Sequence, residues 1–140
     1  ADRYQAMRDR IYDHVERVFR ELQAADVHVG IVTNLTTRIQ LKKIHHLGIE
    51  PHVDLLLTSE ETGREKPSSV MFTDPLAQLD TRPSDAAFVG DNPTADIEGG
   101  NAVGLETVLF DPRHEHDDLH GRMQPDHQVH DFAAVTEVLL

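Results

Sequence analysis

The sequence predicts an α/β fold built on a mainly parallel sheet. Short aliphatic and β-branched runs alternate with stretches of helical periodicity, the runs are apolar on successive residues as buried parallel strands are, and Gly or Pro marks most of the boundaries. Residues 2–25 set Tyr4, Met7, Ile11, Val15, Val18, Phe19 and Leu22 in one stripe at helical spacing, which predicts an amphipathic helix. Val27 to Val32 reads as a buried strand ended by Thr33-Asn34, with a second helix running to Leu47 and stopped by Gly48. Val53 to Leu57 is the next strand. Residues 68–79 follow as a helix that Pro75 should kink or shorten, because proline removes a backbone donor and crowds the preceding turn.

Ala86 to Gly90 is a third strand, and Pro93 suits the first turn of a helix that runs to Val103 before Gly104. Glu106 to Phe110 is a fourth strand, Gln128 to His130 a short fifth, and residues 131–140 a closing helix. The stretch 111–127 is rich in His, Asp and Pro and reads as a solvated surface loop.

A length of 140 residues fits a single domain, and 39% hydrophobic residues with a mean hydropathy of −0.43 exclude a disordered or membrane-spanning class. With no cysteine there is no disulfide framework, thiolate metal site or cysteine nucleophile, in keeping with a cytoplasmic location. Residues 1–25 are too charged for a signal peptide. The net charge of −12 opposes binding to nucleic acid or anionic membranes. Lys42, Lys43 and Lys66 are the only lysines, and an acidic, lysine-poor composition is the kind expected in a salty cytoplasm.

In an open parallel sheet, ligands bind at the carboxyl ends of the strands. Thr33-Asn34 follows the first strand, Lys66 lies in Gly63-Arg64-Glu65-Lys66-Pro67 after the second, and Asp91 and Asp96 follow the third. A hydroxyl, turn N–H groups, a cation and two carboxylates thereby converge on one crevice. Such a set suits a phosphate ester with Mg²⁺, a hard ion that takes carboxylate and phosphate oxygens, while lysine and free N–H groups take the remaining anionic oxygens. The bland alternative makes Asp91 a helix cap, Asp96 an exposed helix residue and Lys66 a solvated loop lysine. His114, His116 and His120 with Asp117 and Asp118 match no metal-binding spacing and read as part of the solvated loop.

Val29-Gly30-Ile31-Val32-Thr33-Asn34, then Gly63-Arg64-Glu65-Lys66-Pro67 with Met71-Phe72, then Val89-Gly90-Asp91-Asn92-Pro93-Thr94-Ala95-Asp96-Ile97 with Gly99-Gly100 and Gly104, resemble the second, third and fourth motifs of the haloacid dehalogenase superfamily. The likeness runs from about residue 12 to the end and is strongest to the capped phosphatase branch, with a fainter likeness to the subgroup that includes N-acylneuraminate 9-phosphatase. The resemblance implies a Rossmann-like three-layer core over 26–140, with residues 1–25 as the tail of a cap and linker helix. It further implies Mg²⁺ held by Asp91 and Asp96, and phosphate held by Thr33, Asn34 and Lys66.

The family's first motif, Asp-x-Asp-x-Thr or Ser on a central strand, is not found in this chain. That departure implies a sheet split in two, with the strands at 27–32 and 86–90 facing the gap, and a missing nucleophile that an N-terminal segment or partner chain would supply. The expected activity of the intact protein is hydrolysis of a small phosphate monoester through an aspartyl-phosphate, with the 140-residue chain inactive by itself. The rivals are a non-catalytic binding or regulatory module, a dehalogenase and a phosphomutase. The intact acidic motif argues against the dehalogenase, which needs no Mg²⁺.

Overall fold

The computed structural model describes residues 14–34 and 36–140. Tyr4, Met7 and Ile11 of the predicted apolar stripe lie outside the described residues. Residues 14–24 are helical and are called α1 here. Then follow β1 (Gly30–Thr33), α2 (Thr37–Leu47), β2 (Leu55–Thr58), the single turn α3 (Ser59–Thr62) and α4 (Val70–Gln78). The second half holds β3 (Ala87–Gly90), a wide turn at Pro93–Glu98 continuing into α5 (Gly99–Val103), β4 (Glu106–Phe110), β5 (His127–Val129) and α6 (Val135–Leu139).

All strand pairs are parallel, in two separate sheets: β1 with β2, and β3-β4-β5. The split therefore falls between β1 and β3, where the departure from the family pattern placed it. Side chains of β3 alternate across the sheet. Val89 packs with Val18 and Leu22 of α1, Val108, Val129 and Val135, whereas Phe88 packs on the opposite side with Leu57, Met71, Phe72 and Leu105. The second cluster spans the gap, because Leu57 belongs to β2, Phe88 to β3 and Phe72 to α4, with the Phe72 and Phe88 rings 4.8 Å apart.

Several boundaries differ from the sequence reading for local reasons. β1 begins at Gly30, three residues later than predicted, and exposed Val27 stays outside it. There the Val29 N–H donates to the Asp54 carboxylate (2.8 Å) instead of a strand carbonyl, while the Val29 carbonyl still accepts the Asp54 N–H at 2.7 Å. Helix α2 ends as predicted, with Gly48 left-handed at φ 69° and its N–H bonded to the carbonyls of His45 and Ile44. Pro75 is buried inside α4, where it cannot donate to the Met71 carbonyl, and the helix is nine residues long, starting at Val70.

Phe72 is 1% exposed and holds the two half-sheets to one helix, so Phe72→Ala should cost about 3–5 kcal/mol. Urea unfolding would read this as a lowered midpoint with an unchanged slope.

Candidate active site

Strands β1, β2 and β3 end at one edge, and the chain leaving each carries part of the candidate site. Thr33 is the last residue of β1, in register with Thr58 at the end of β2. Beyond it the Asn34 side chain turns onto the main chain of Lys66: Asn34 Oδ1 accepts the Lys66 N–H at 2.8 Å, and Nδ2 donates to the Lys66 carbonyl at 3.4 Å. The Lys66–Pro67 peptide is cis.

The Lys66 ammonium reaches the other half-sheet. Nζ lies 2.6 Å from Oδ1 of Asp96 and 5.5 Å from the centre of the Phe88 ring. The pair is well buried, the side chains of Lys66 and Asp96 being 12% and 5% exposed. The second Asp96 oxygen, Oδ2, accepts the N–H groups of Asp91 and Asn92, each at 3.1 Å. Both oxygens of Asp96 are thus committed, one to the ammonium and one to the turn.

The backbone geometry follows from Gly90 and Asn92. A Cβ at Gly90 would stand 2.3 Å from the Asp96 carboxylate, so only glycine leaves room for that side chain to fold back on the strand end. The Asn92 carbonyl accepts from Asp96 at 2.9 Å and from Ile97, five residues on, at 3.4 Å, which widens the turn. Asn92 Oδ1 caps the same turn through the N–H groups of Thr94 and Ala95, both at 3.0 Å, with Pro93 in the position where a missing donor costs least.

The bland alternative for this motif therefore fails in both parts. Asn92 is the cap in place of Asp91, and Asp96 is 3% exposed instead of solvated. The sequence reading missed Asn92 as the cap, although an Asn directly before the helix-starting Pro93 carries that signal. Asp91 is exposed, and its carboxylate has no partner among the described residues. Asn34, Lys66 and Asp96 form one connected group, with Asp91 joined to it through its main chain.

Lys66 and Asp91 leave a fixed cation and an open carboxylate at the carboxyl edge of a parallel sheet, the edge at which open α/β folds bind their ligands. A model of the haloacid dehalogenase-like hydrolases matches residues 3–110, and the chain belongs to that family. It is 52% identical over 130 residues, 89% of this chain and 54% of the relative, to the ribulose-1,5-bisphosphate 5-phosphatase of Halopiger xanaduensis. It is 33% identical over 99 residues to a glyceraldehyde 3-phosphate phosphatase of Methanocaldococcus jannaschii, covering 71% of this chain and 43% of that one. Among solved structures, YfnB of Bacillus subtilis bound to magnesium superposes with a TM-score of 0.78 at 25% identity, over 88% of this chain and 52% of that one. The chain spans about half the length of the relatives it matches.

The His-rich stretch is a loop with His114, Asp117, Asp118 and His120 exposed, as the sequence reading has it, and its path is fixed from one end. Among the described residues no three metal-ligating side chains gather into a metal-holding group. The stretch is pinned by Asp111, just beyond β4 and 2% exposed. Asp111 accepts the N–H groups of Glu115 (2.9 Å) and His116 (3.2 Å) and the Gln128 amide (3.1 Å). His130 bonds the Asp111 carbonyl through Nδ1 at 2.7 Å and stacks on His114, ring centres 3.8 Å apart. Burial works against the Asp111 carboxylate, yet these hydrogen bonds and the nearby His116 outweigh it and hold the carboxyl below its ordinary value.

Two outcomes follow for this region. A lowered native pKa means that ionised Asp111 stabilises the fold above the ordinary carboxylate range, about pH 4, and that this stabilisation disappears as pH falls through the native value. Urea midpoints of the parent chain and Asp111→Asn should differ at pH 7 and draw together below about pH 4. Gly90→Ala should displace Asp96, seen as large shifts of the Asp91, Asn92 and Lys66 amide resonances in a folded protein.

Proposed function

We propose that this chain carries the phosphate- and metal-binding part of a Mg²⁺-dependent phosphatase acting on small phosphate monoesters, with a sugar bisphosphate as the first substrate to test. The observation that carries the reading is the pairing of a buried, pre-positioned Lys66 with the open carboxylate of Asp91 at one sheet edge. The names of the two phosphatase relatives support the reaction, and the 52% identical one supports the bisphosphate. The magnesium in the Bacillus subtilis structure supports the metal.

The donor set fits that ion. Mg²⁺ is commonly bound through one or two carboxylates, with water and substrate phosphate completing its shell, and Asp91 offers one open carboxylate here. Mg²⁺ when bound offsets negative charge on the phosphoryl oxygens. Lys66 would do the same as a fixed point charge, with no reorganisation needed during the reaction. Thr33 and the Asn34 N–H contact the remaining phosphoryl oxygens. Exposed Arg64, two residues before Lys66, adds positive charge where the chain as a whole carries −12.

In this reading the attacking carboxylate sits on a strand between β1 and β3. It displaces the alcohol from phosphorus to give an aspartyl-phosphate, which water cleaves to inorganic phosphate and the free carboxylate. The acidic, lysine-poor composition and the Halopiger relative support work in concentrated salt inside the cell.

In the full natural protein with Mg²⁺ and ribulose-1,5-bisphosphate, Lys66→Met and Asp91→Asn should each lower kcat on the order of 10²–10³-fold with the fold intact by circular dichroism. Unchanged phosphate release in either variant would remove that residue from the site. Residues 1–140 alone should release no phosphate, and turnover by them would place the nucleophile inside this chain.

A further inference from the structure

The geometry points to Asn34 as a positioning residue for Lys66, acting through the main chain of that lysine and not through a side-chain contact with the ligand. Lys66 is gripped at both ends from opposite sides of the gap between the sheets. From β1, Asn34 takes the Lys66 N–H at 2.8 Å and reaches its carbonyl at 3.4 Å. From β3, Asp96 takes the ammonium at 2.6 Å.

A lysine side chain has several rotatable bonds and loses rotamer entropy when held. An ion pair at the tip fixes Nζ only if the backbone at the other end is fixed as well. The neighbouring segment is tied only to itself: the Arg64 N–H and carbonyl bond the Thr62 hydroxyl (3.1 and 2.9 Å) and the Glu65 carbonyl accepts the Ser68 N–H (2.8 Å), which leaves the Lys66 N–H and carbonyl to Asn34. Glu65 is exposed, and Gly63 has no side chain and a φ of 71°. Asn34 supplies the missing restraint from a residue directly after β1. Asn is suited to the task because one amide presents an acceptor and a donor together, matching a peptide N–H and C=O. The loop at 63–67 is thereby strapped to both half-sheets, and the ammonium is in place before a phosphate arrives.

This role presupposes that Lys66 is the phosphate-contacting cation, but its test does not depend on turnover. In the chain labelled with nitrogen-15 lysine, the ammonium groups of exposed Lys42 and Lys43 exchange rapidly with water, whereas that of Lys66, 12% exposed and ion-paired, should give a protected cross-peak that Lys66→Arg deletes. Asn34→Ala should remove the exchange protection of the Lys66 backbone amide and shift or broaden the ammonium peak. Asn34→Asp, which keeps the acceptor for the Lys66 N–H but loses the donor to its carbonyl, should retain part of both. Asn34→Ser, too short to reach, should behave as Ala does and covers the case in which Ala fails to fold.

In the full natural protein, Asn34→Ala should lower kcat on the order of 10–100-fold, with little further loss on a Lys66→Met background. An ammonium peak unchanged by Asn34→Ala, with or without loss of amide protection, would overturn the role. So would absence of a protected Lys66 peak in the parent chain. A parent protein with no phosphatase turnover but the expected peak shifts would overturn the phosphatase reading alone.

Discussion

The buried ion pair of Lys66 and Asp96 is the constraint around which the rest of the site is arranged. Two opposite charges taken out of water gain net stability only when geometry and additional hydrogen bonds are good, and removing one partner from such a pair costs about 3–5 kcal/mol. Here the requirements are met by particular residues. Gly90 leaves room for the carboxylate, the wide turn after Asn92 brings Asp96 back to the strand end, and the N–H groups of Asp91 and Asn92 saturate the oxygen that Lys66 does not use. The Phe88 ring lies near the ammonium and is itself fixed against Phe72.

The pair also has an architectural consequence. Lys66 leaves the β1-β2 sheet and Asp96 leaves the β3-β4-β5 sheet, so their contact, like the cluster around Phe72, joins two sheets that share no strand ladder. The edges of β1 and β3 face the place where the family carries its central strand. A chain spanning about half the length of its relatives thus holds a preformed cation and an open carboxylate beside that place. For the proposed reaction, pre-positioning in this form would lower the reorganisation required, because the charges would not have to move when an ester binds.

Away from the site, the stretch after β4 shows how composition can mislead. Its histidines and aspartates are mostly exposed, as a solvated loop requires, yet its path is set by one buried carboxylate. Asp111 orders the backbone at 115 and 116, and Gln128, in the middle of β5, ties that turn to the strand through the Asp111 carboxylate and the His116 carbonyl. A residue count treats Asp111 like its neighbours, whereas its position directly after a buried strand is what takes it out of water.

The sequence by itself determined the alternation of strands and helices, the order of the three motifs and hence the family, the glycine stop of α2 and the place of the split in the sheet. The alternation and the glycine stop rest on local periodicity and on backbone rules for Gly and Pro, which are written along the chain, whereas the family and the place of the split rest on the resemblance of the three motifs and the lack of the first. It named Asn34, Lys66, Asp91 and Asp96 as belonging to one crevice, but not which of them would bond to which. That was decided by tertiary structure: the contact of Lys66 with Asp96 joins residues 30 apart, and that of Asn34 with Lys66 joins residues 32 apart. No local rule distinguishes a carboxylate that folds back on Gly90 from one left open to solvent. Burial and the direction of each turn, set only once the two half-sheets pack, gave Asp96 to the lysine and left Asp91 free.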